Sequence, residues 1–162
     1  MYLKEALPLV KLLEAEPPRV GSQPGGWEPV RARAVSFLSA IRTITHDPLT
    51  LKFGKKDLYI DLGARQLLAA QKAESKIAVE IKSFTGRSDV DDLEKALGQY
   101  ILYQDILIEL EPERVLYLAV PNSVFDDLFE EPIGKLLLKN HRLKLITFDP
   151  KQEVIKQWII PN

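Results

Sequence analysis

At 162 residues, with 46% hydrophobic and 28% charged composition, the chain is long enough for one folded domain with a real hydrophobic core and too apolar to stay disordered. A formal net charge of -1 gives no global sign of nucleic acid. Without cysteine, and with His46 and His141 as its only histidines, the sequence excludes disulfides, thiolate chemistry and cysteine-ligated zinc. Any metal must then rest on oxygen ligands, which favours magnesium or manganese. No apolar run approaches the roughly 18–20 residues of a membrane span. The opening "MYLKEALPLVKLLEAEPP" carries acids and prolines and lacks a small-residue cleavage site. Neither a membrane anchor nor a signal peptide is expected, and the cytoplasm is the default location.

Residues 1–42 differ in texture from the rest and are expected to form an atypical N-terminal segment. "LKEALPLVKLLEAE" suits a short amphipathic helix interrupted by Pro8, "PPRVGSQPGGW" reads as linker, and Val30, Ala34, Phe37, Leu38 and Ile41 recur near helical spacing after Pro29. Residues 43–162 are expected to form a single domain. Within it "PLTLKF" alternates as a strand, "GKK" turns, and "DLYIDLGA" (57–64) alternates again, predicting a hairpin. "LLAAQKAESK" reads as a connection to a strand over 76–84, "KIAVEIKSF". Ser88 followed by Asp91 resembles a capping box, opening a helix to about Leu110 with Val90, Leu93, Leu97, Tyr100, Ile101 and Ile108 as its core stripe. "RVLYLAVP" (114–121) is a near-continuous apolar run, expected of a central strand covered on both faces. Two short helices divided near Pro132 follow, then strands in "LKLITF" and "EVIKQWII" around the turn "DPKQ". The order from residue 28 is α-β-β-β-α-β-α-β-β, an α/β fold with a central mixed sheet flanked by helices.

Polar residues stand where these strands should be apolar. Side chains two apart on a strand share a face, so Glu80 and Lys82 point the same way while Ile77, Val79 and Ile81 point the other. Taken alone, E-x-K is common on amphipathic strands, and a salt-bridged outer face is its simpler reading. Asp61 on the preceding strand completes D-x₁₈-E-x-K, and two adjacent strands bring Asp61 opposite Glu80, within reach of one divalent cation. Two carboxylates, the Ile81 backbone carbonyl and waters satisfy magnesium's octahedral demand. Lys82 in the same pocket orients a water or offsets charge on phosphorus, the chemistry of phosphodiester hydrolysis. Asp57 shares the parity of Asp61 but sits beside the turn, where a solvated carboxylate needs no explanation. Gln99 and Tyr103, four apart on the helix, share one face, and Asp92 lies on nearly the same side. His46, Asp47, the acidic "SDVDDLE" and Trp158 are assigned to turns, a helix N-terminus and packing. Lys55, Lys56, Arg65, Lys72, Lys76 and Arg87 offer a groove for phosphates that acidic neighbours nearly cancel.

"THDPLTLKFGKKDLYIDLGARQLLAAQK", "KIAVEIKSFTG", "DLEKALGQYILYQDIL", "PERVLYLAVP", "FEEPIGKLLLKN" and "LKLITFDPKQEVIKQWI" closely resemble XisH-type proteins, cyanobacterial factors controlling excision of the fdxN DNA element. The resemblance spans roughly residues 43–160. It implies a PD-(D/E)XK restriction-endonuclease-like core, with Asp61, Glu80 and Lys82 on the motif positions and Gln99 and Tyr103 resembling the glutamine-tyrosine helix of RecB-like nucleases. It also implies DNA as a partner, an XisI-like companion protein, and a role in programmed DNA excision. Whether the chain is an Mg²⁺- or Mn²⁺-dependent endonuclease or a non-catalytic protein acting through its companion is left open, as is a homo-oligomer. The family's opening acidic helix has no recognisable counterpart in residues 1–42, where "SFLSAIR" stands in its place. An altered start or a shifted reading frame is the expectation, checked by resequencing the locus.

Overall fold

The structure, a computed structural model, describes residues 32, 35, 43–68, 73–140 and 143–160. The helix and linker expected in the first 31 residues lie outside the described residues. Ala32 and Val35 are helical and Val35 packs against the sheet, while Val30, Ala34, Phe37, Leu38 and Ile41, whose spacing suggests this helix, lie outside the described residues.

Among the described residues, eight strands and three helical segments follow. They are β1 (Thr43–His46), β2 (Leu49–Phe53), β3 (Lys56–Ile60), β4 (Leu62–Leu68), β5 (Ala73–Ile81), α1 (Asp89–Leu110), β6 (Arg114–Pro121), α2, β7 (Leu145–Asp149) and β8 (Val154–Ile159), with α3 (Pro132–Lys139) between α2 and β7. Helix α2 is one short turn, Asn122–Val124, running into a π-helical turn, Phe125–Phe129. A six-stranded mixed sheet has the order β1-β4-β5-β6-β7-β8, and β2 and β3 form a separate two-stranded ribbon. Strands β5, β6 and β7 are mutually parallel, while β4 pairs antiparallel to β5 and β8 antiparallel to β7.

Two expectations need correction. The run 57–64 is not one strand: the chain bends at Asp61, so its first half joins the ribbon and its second half the main sheet. The expected connection around 67–76 is largely strand, because β4 runs on to Leu68 and β5 begins at Ala73. Both follow from long-range pairing, in which β4 and β5 lie in register from Leu62↔Val79 to Leu68↔Ala73. Backbone partners override weak local propensity in such a ladder.

The period-two alternation of β5 divides the core in two. Ile77, Val79 and Ile81 face one layer with Leu62, Tyr117, Ile146 and Phe148. Ala78 faces the other, with Leu116, Leu118, Val120, the inner face of α1 and Leu49, Leu51 and Ile60 of the ribbon. Strand β6 is buried on both faces, as its apolar run predicts. Trp158 packs edge-on against Tyr117 at 5.0 Å between centroids, the packing role expected of it.

Helix α1 starts where expected, with the Ser88 hydroxyl accepting from the Asp91 N–H at 3.3 Å. Its expected core stripe is half wrong. Leu93 and Tyr100 are buried, joined by Ala96, Tyr103, Ile106 and Leu107, whereas Val90, Ile101 and Ile108 are exposed. The apolar arc of this helix is wider than the face the sheet covers, so periodicity alone misplaces its centre. Tyr100 fixes the docking. Its hydroxyl donates to the Leu116 carbonyl at 3.2 Å and accepts from the Lys144 N–H at 3.1 Å.

Helices α2 and α3 pack on each other beside the core. Gly134 of α3 lies so near α2 that a Cβ there would overlap the Phe129 Cα and the Leu128 carbonyl. Phe129 in turn stacks on Phe125 and meets Phe84 edge-on at 6.3 Å.

Candidate active site

The bend that splits β3 from β4 positions Asp61. One step beyond the Leu62↔Val79 pair, Asp61 comes level with Glu80. Its Oδ2 accepts the Ile81 N–H at 2.8 Å, which fixes the carboxylate against the last residue of β5. Ile81, whose carbonyl is the third ligand expected from the sequence, is therefore held by the same aspartate.

Glu80 shares the parity of Ala78 and so lies on the face covered by α1, not on an outer face. Only 4% of it is exposed, which removes the surface salt-bridge reading of the strand. Lys82 follows directly after β5, but its N–H still donates to the Ala119 carbonyl at 2.9 Å and carries the parallel pairing one residue further. Its ammonium meets Glu80 Oε1 at 2.9 Å, with the Lys82 side chain 22% exposed and Glu80 5%. Glu80 Oε2 is buried and has no hydrogen-bond partner.

These distances make the carboxyl an unusual one. Burial pushes Glu80 up to about 7, the neighbouring charge of Asp61 pushes the same way, and the Lys82 ammonium opposes both without cancelling them. Tyr103 feels the same cluster. Burial raises its phenol most, the negative charges of Glu80 and Asp61 raise it further, and a hydrogen bond with the Gln99 side chain pulls it back in part. The geometry thus gathers Asp61, Glu80, Lys82, Gln99 and Tyr103 around one point. Asp57 is exposed on the ribbon, opposite Lys52. Asp92 turns away to the loop, where its Oδ2 accepts the Gly86 N–H at 2.7 Å.

That loop carries a feature absent from the sequence reading. Phe84, two residues beyond Lys82, has φ +51°, a left-handed conformation that is uncommon for a bulky residue. Packing on Phe129 holds it there. Strained backbone of this kind concentrates at functional sites.

Among the described residues no three or more His, Cys, Asp and Glu side chains gather as a metal cluster. The donor set is the narrower pair Asp61 and Glu80. A buried carboxylate oxygen without a partner, beside a second carboxylate, fits a hard divalent cation completed by a backbone carbonyl and water.

Comparison with known proteins places these residues in context. A family model described as XisH protein matches residues 39–156. The crystal structure of an XisH family protein from Nostoc punctiforme PCC 73102 superposes with a TM-score of 0.73 at 35% identity, covering 82% of this chain and 99% of that one. A fdxN element excision controlling factor protein from Anabaena variabilis superposes with a TM-score of 0.70 at 37% identity, covering 80% and 98%. A search of curated proteins finds no match. Among the described residues no helix is long and apolar enough to cross a membrane.

Proposed function

The chain belongs to the XisH family, and from that membership and the site geometry we propose that it is a PD-(D/E)XK-type protein that binds and cuts DNA with a divalent cation, Mg²⁺ or Mn²⁺, in support of the excision of a DNA element. One observation carries the reading. Glu80 is a buried carboxylate with an orphaned oxygen, set beside Asp61 and capped by an ammonium. A protein that needed only stability would gain by replacing it with an apolar residue. The strand–strand–helix–strand run through β4, β5, α1 and β6, with Asp61 before it and Glu80 and Lys82 at the end of β5, supports the nuclease-core assignment.

Asp61 and Glu80, with the Ile81 carbonyl, would hold the cation, which supplies charge neutralisation at the scissile phosphate. Asp61 is kept in place by the Ile81 amide and needs no rearrangement to do this. Lys82, the solvent-facing member, extends its ammonium to where charge builds on the phosphoryl oxygens in the transition state. Gln99 and Tyr103 wall the carboxylates from the helix side and exclude water behind them.

A second reading rests on a different observation: Val90, Ile101 and Ile108 leave an apolar stripe exposed along α1. An XisI-like companion, or a second copy of the chain, covering it would make this fold an interaction module without cleavage.

Nicking of supercoiled plasmid in the presence of manganese tests the primary reading. The purified chain is expected to nick, and Glu80→Gln and Lys82→Ala to slow it by a factor on the order of 100 or more. Nicking that survives Glu80→Gln sinks the site assignment. A chain that nicks nothing but co-purifies with a companion favours the second reading.

A further inference from the structure

The ribbon β2–β3 has two unlike halves. At its base Leu49, Leu51 and Ile60 are buried in the core with α1, and β3 leads directly into Asp61. At its tip every residue from Lys52 to Asp57 is exposed. Gly54 at φ +61° makes the turn, so that Phe53 stands opposite Lys56 and Lys52 opposite Asp57. Along one face of β2, Leu51 is 2% exposed and Phe53, two residues on, is 47% exposed. The apolar face runs out past the end of the core it packs on.

Edge lysines alone have a plain explanation, since they keep ribbons from pairing with other chains. Phe53 does not fit that explanation, because a guard against association has no use for an exposed phenyl ring. The charge is also placed unevenly. Lys52 faces Asp57 and is offset by it, whereas Lys55 in the turn and Lys56 beside Phe53 have no acid opposite them in the ribbon. The excess positive charge therefore sits with the aromatic ring. Five residues of β3 at about 3.3 Å each separate this tip from Asp61 by roughly 17 Å, a distance that spans a DNA groove.

We propose that the β2–β3 tip is a DNA contact that reaches away from the cutting site, with Lys55 and Lys56 on backbone phosphates and Phe53 against the sugar or base edges of the groove. Two-stranded ribbons enter the major groove, where an apolar side chain such as phenylalanine packs on the thymine methyl. The proposal rests on the DNA reading of the site and adds where the duplex lies, across the ribbon and not along α1, whose first turn carries Asp89, Asp91 and Asp92.

Fluorescence anisotropy of a labelled DNA duplex, with calcium in place of magnesium to keep it uncut, tests this apart from cleavage. The Lys55→Gln/Lys56→Gln variant is expected to lose affinity by a factor in the tens at about 0.1 M salt and to flatten the salt dependence by roughly two, the contribution of two phosphates. Phe53→Ala is expected to weaken binding while keeping the salt slope. The control, Lys151→Gln/Lys156→Gln at the β7–β8 edge of the sheet, is expected to bind as wild type. Equal loss in the control, or wild-type affinity in the tip variant, overturns the proposal. If the tip variant also nicks plasmid normally, the nuclease reading stands without it. If the tip variant loses binding but the wild type never nicks, the contact stands and the catalytic reading fails.

Discussion

Strand β5 borders two charged clusters, one beside its middle and one at its end, and the two are built oppositely. Beside the middle of β5 Arg114 is buried and every nitrogen of its guanidinium is engaged. Nε and Nη2 donate to Glu111 Oε2 at 3.0 and 2.8 Å, and Nη1 donates to the Ile77 carbonyl at 3.1 Å. Lys76 pairs with Glu113 at 2.8 Å just outside. At the far end Glu80 has one satisfied oxygen and one orphan, a like charge beside it and a single ammonium. The first cluster is closed and holds the sheet to the end of α1. The second is open, and its unmet valence is what a ligand would complete. Burial of charge is thus no signal of function in itself; burial without completion is.

Removing a partner from the closed cluster should cost the most stability. Arg114→Ala leaves Glu111 and the Ile77 carbonyl without their donor, and is expected to lower the free energy of unfolding by about 3–4 kcal/mol in urea titrations. Nicking per folded molecule should not change, because Glu111 and the Ile77 carbonyl, which Arg114 holds, are not members of the open cluster. If Arg114→Ala instead costs nothing, the distinction between the two clusters collapses.

The open cluster should respond to pH in the opposite sense to an ordinary ion-paired carboxylate. Folding raises Glu80 from 4.5 to about 7, so the folded state keeps a proton that the unfolded chain releases. The resulting stability is fully present below pH 4.5 and is lost as pH rises through about 7. The loss is on the order of 3 kcal/mol, read from urea midpoints in chelator between pH 5 and 8. Glu80→Gln should remove that slope and leave the variant more stable than wild type at pH 8, while slowing nicking as above. A Gln variant less stable at pH 8 would place Glu80 with the closed, structural kind. The smallest effect belongs to the rim. Glu113→Gln breaks an exposed pair and should leave the urea midpoint where it was.

Much of this was legible in the sequence, for identifiable reasons. Asp61, Glu80 and Lys82 stood out because each is a charge inside an alternating apolar run, and register then brought them together. The cap at Ser88, the two short helices divided near Pro132 and the Asp149 turn, whose Oδ1 accepts the Lys151 and Gln152 N–H groups, follow from local chemistry, whereas the π-helical turn at Phe125–Phe129 has no signal in the sequence. The bend at Asp61 was not legible, because "DLYIDLGA" keeps its alternation through the break and only the competing partners of β3 and β4 reveal it. Val90, Ile101 and Ile108 misled because an apolar arc does not say which part of itself a sheet will cover. Arg114 was hidden at the head of an apolar run, though Glu111 three residues earlier was a usable sign.

Gly134 gives the site a remote control point. A single added methyl there has no room except by moving the backbone of α2, which carries Phe129. Phe129 is the rest against which Phe84 holds its left-handed turn, and Phe84 lies two residues from Lys82. The position of the Lys82 ammonium is thus set by a linkage whose last joint is a glycine in a different helix. Drift at that glycine would detune the chemistry while leaving every charged residue in place.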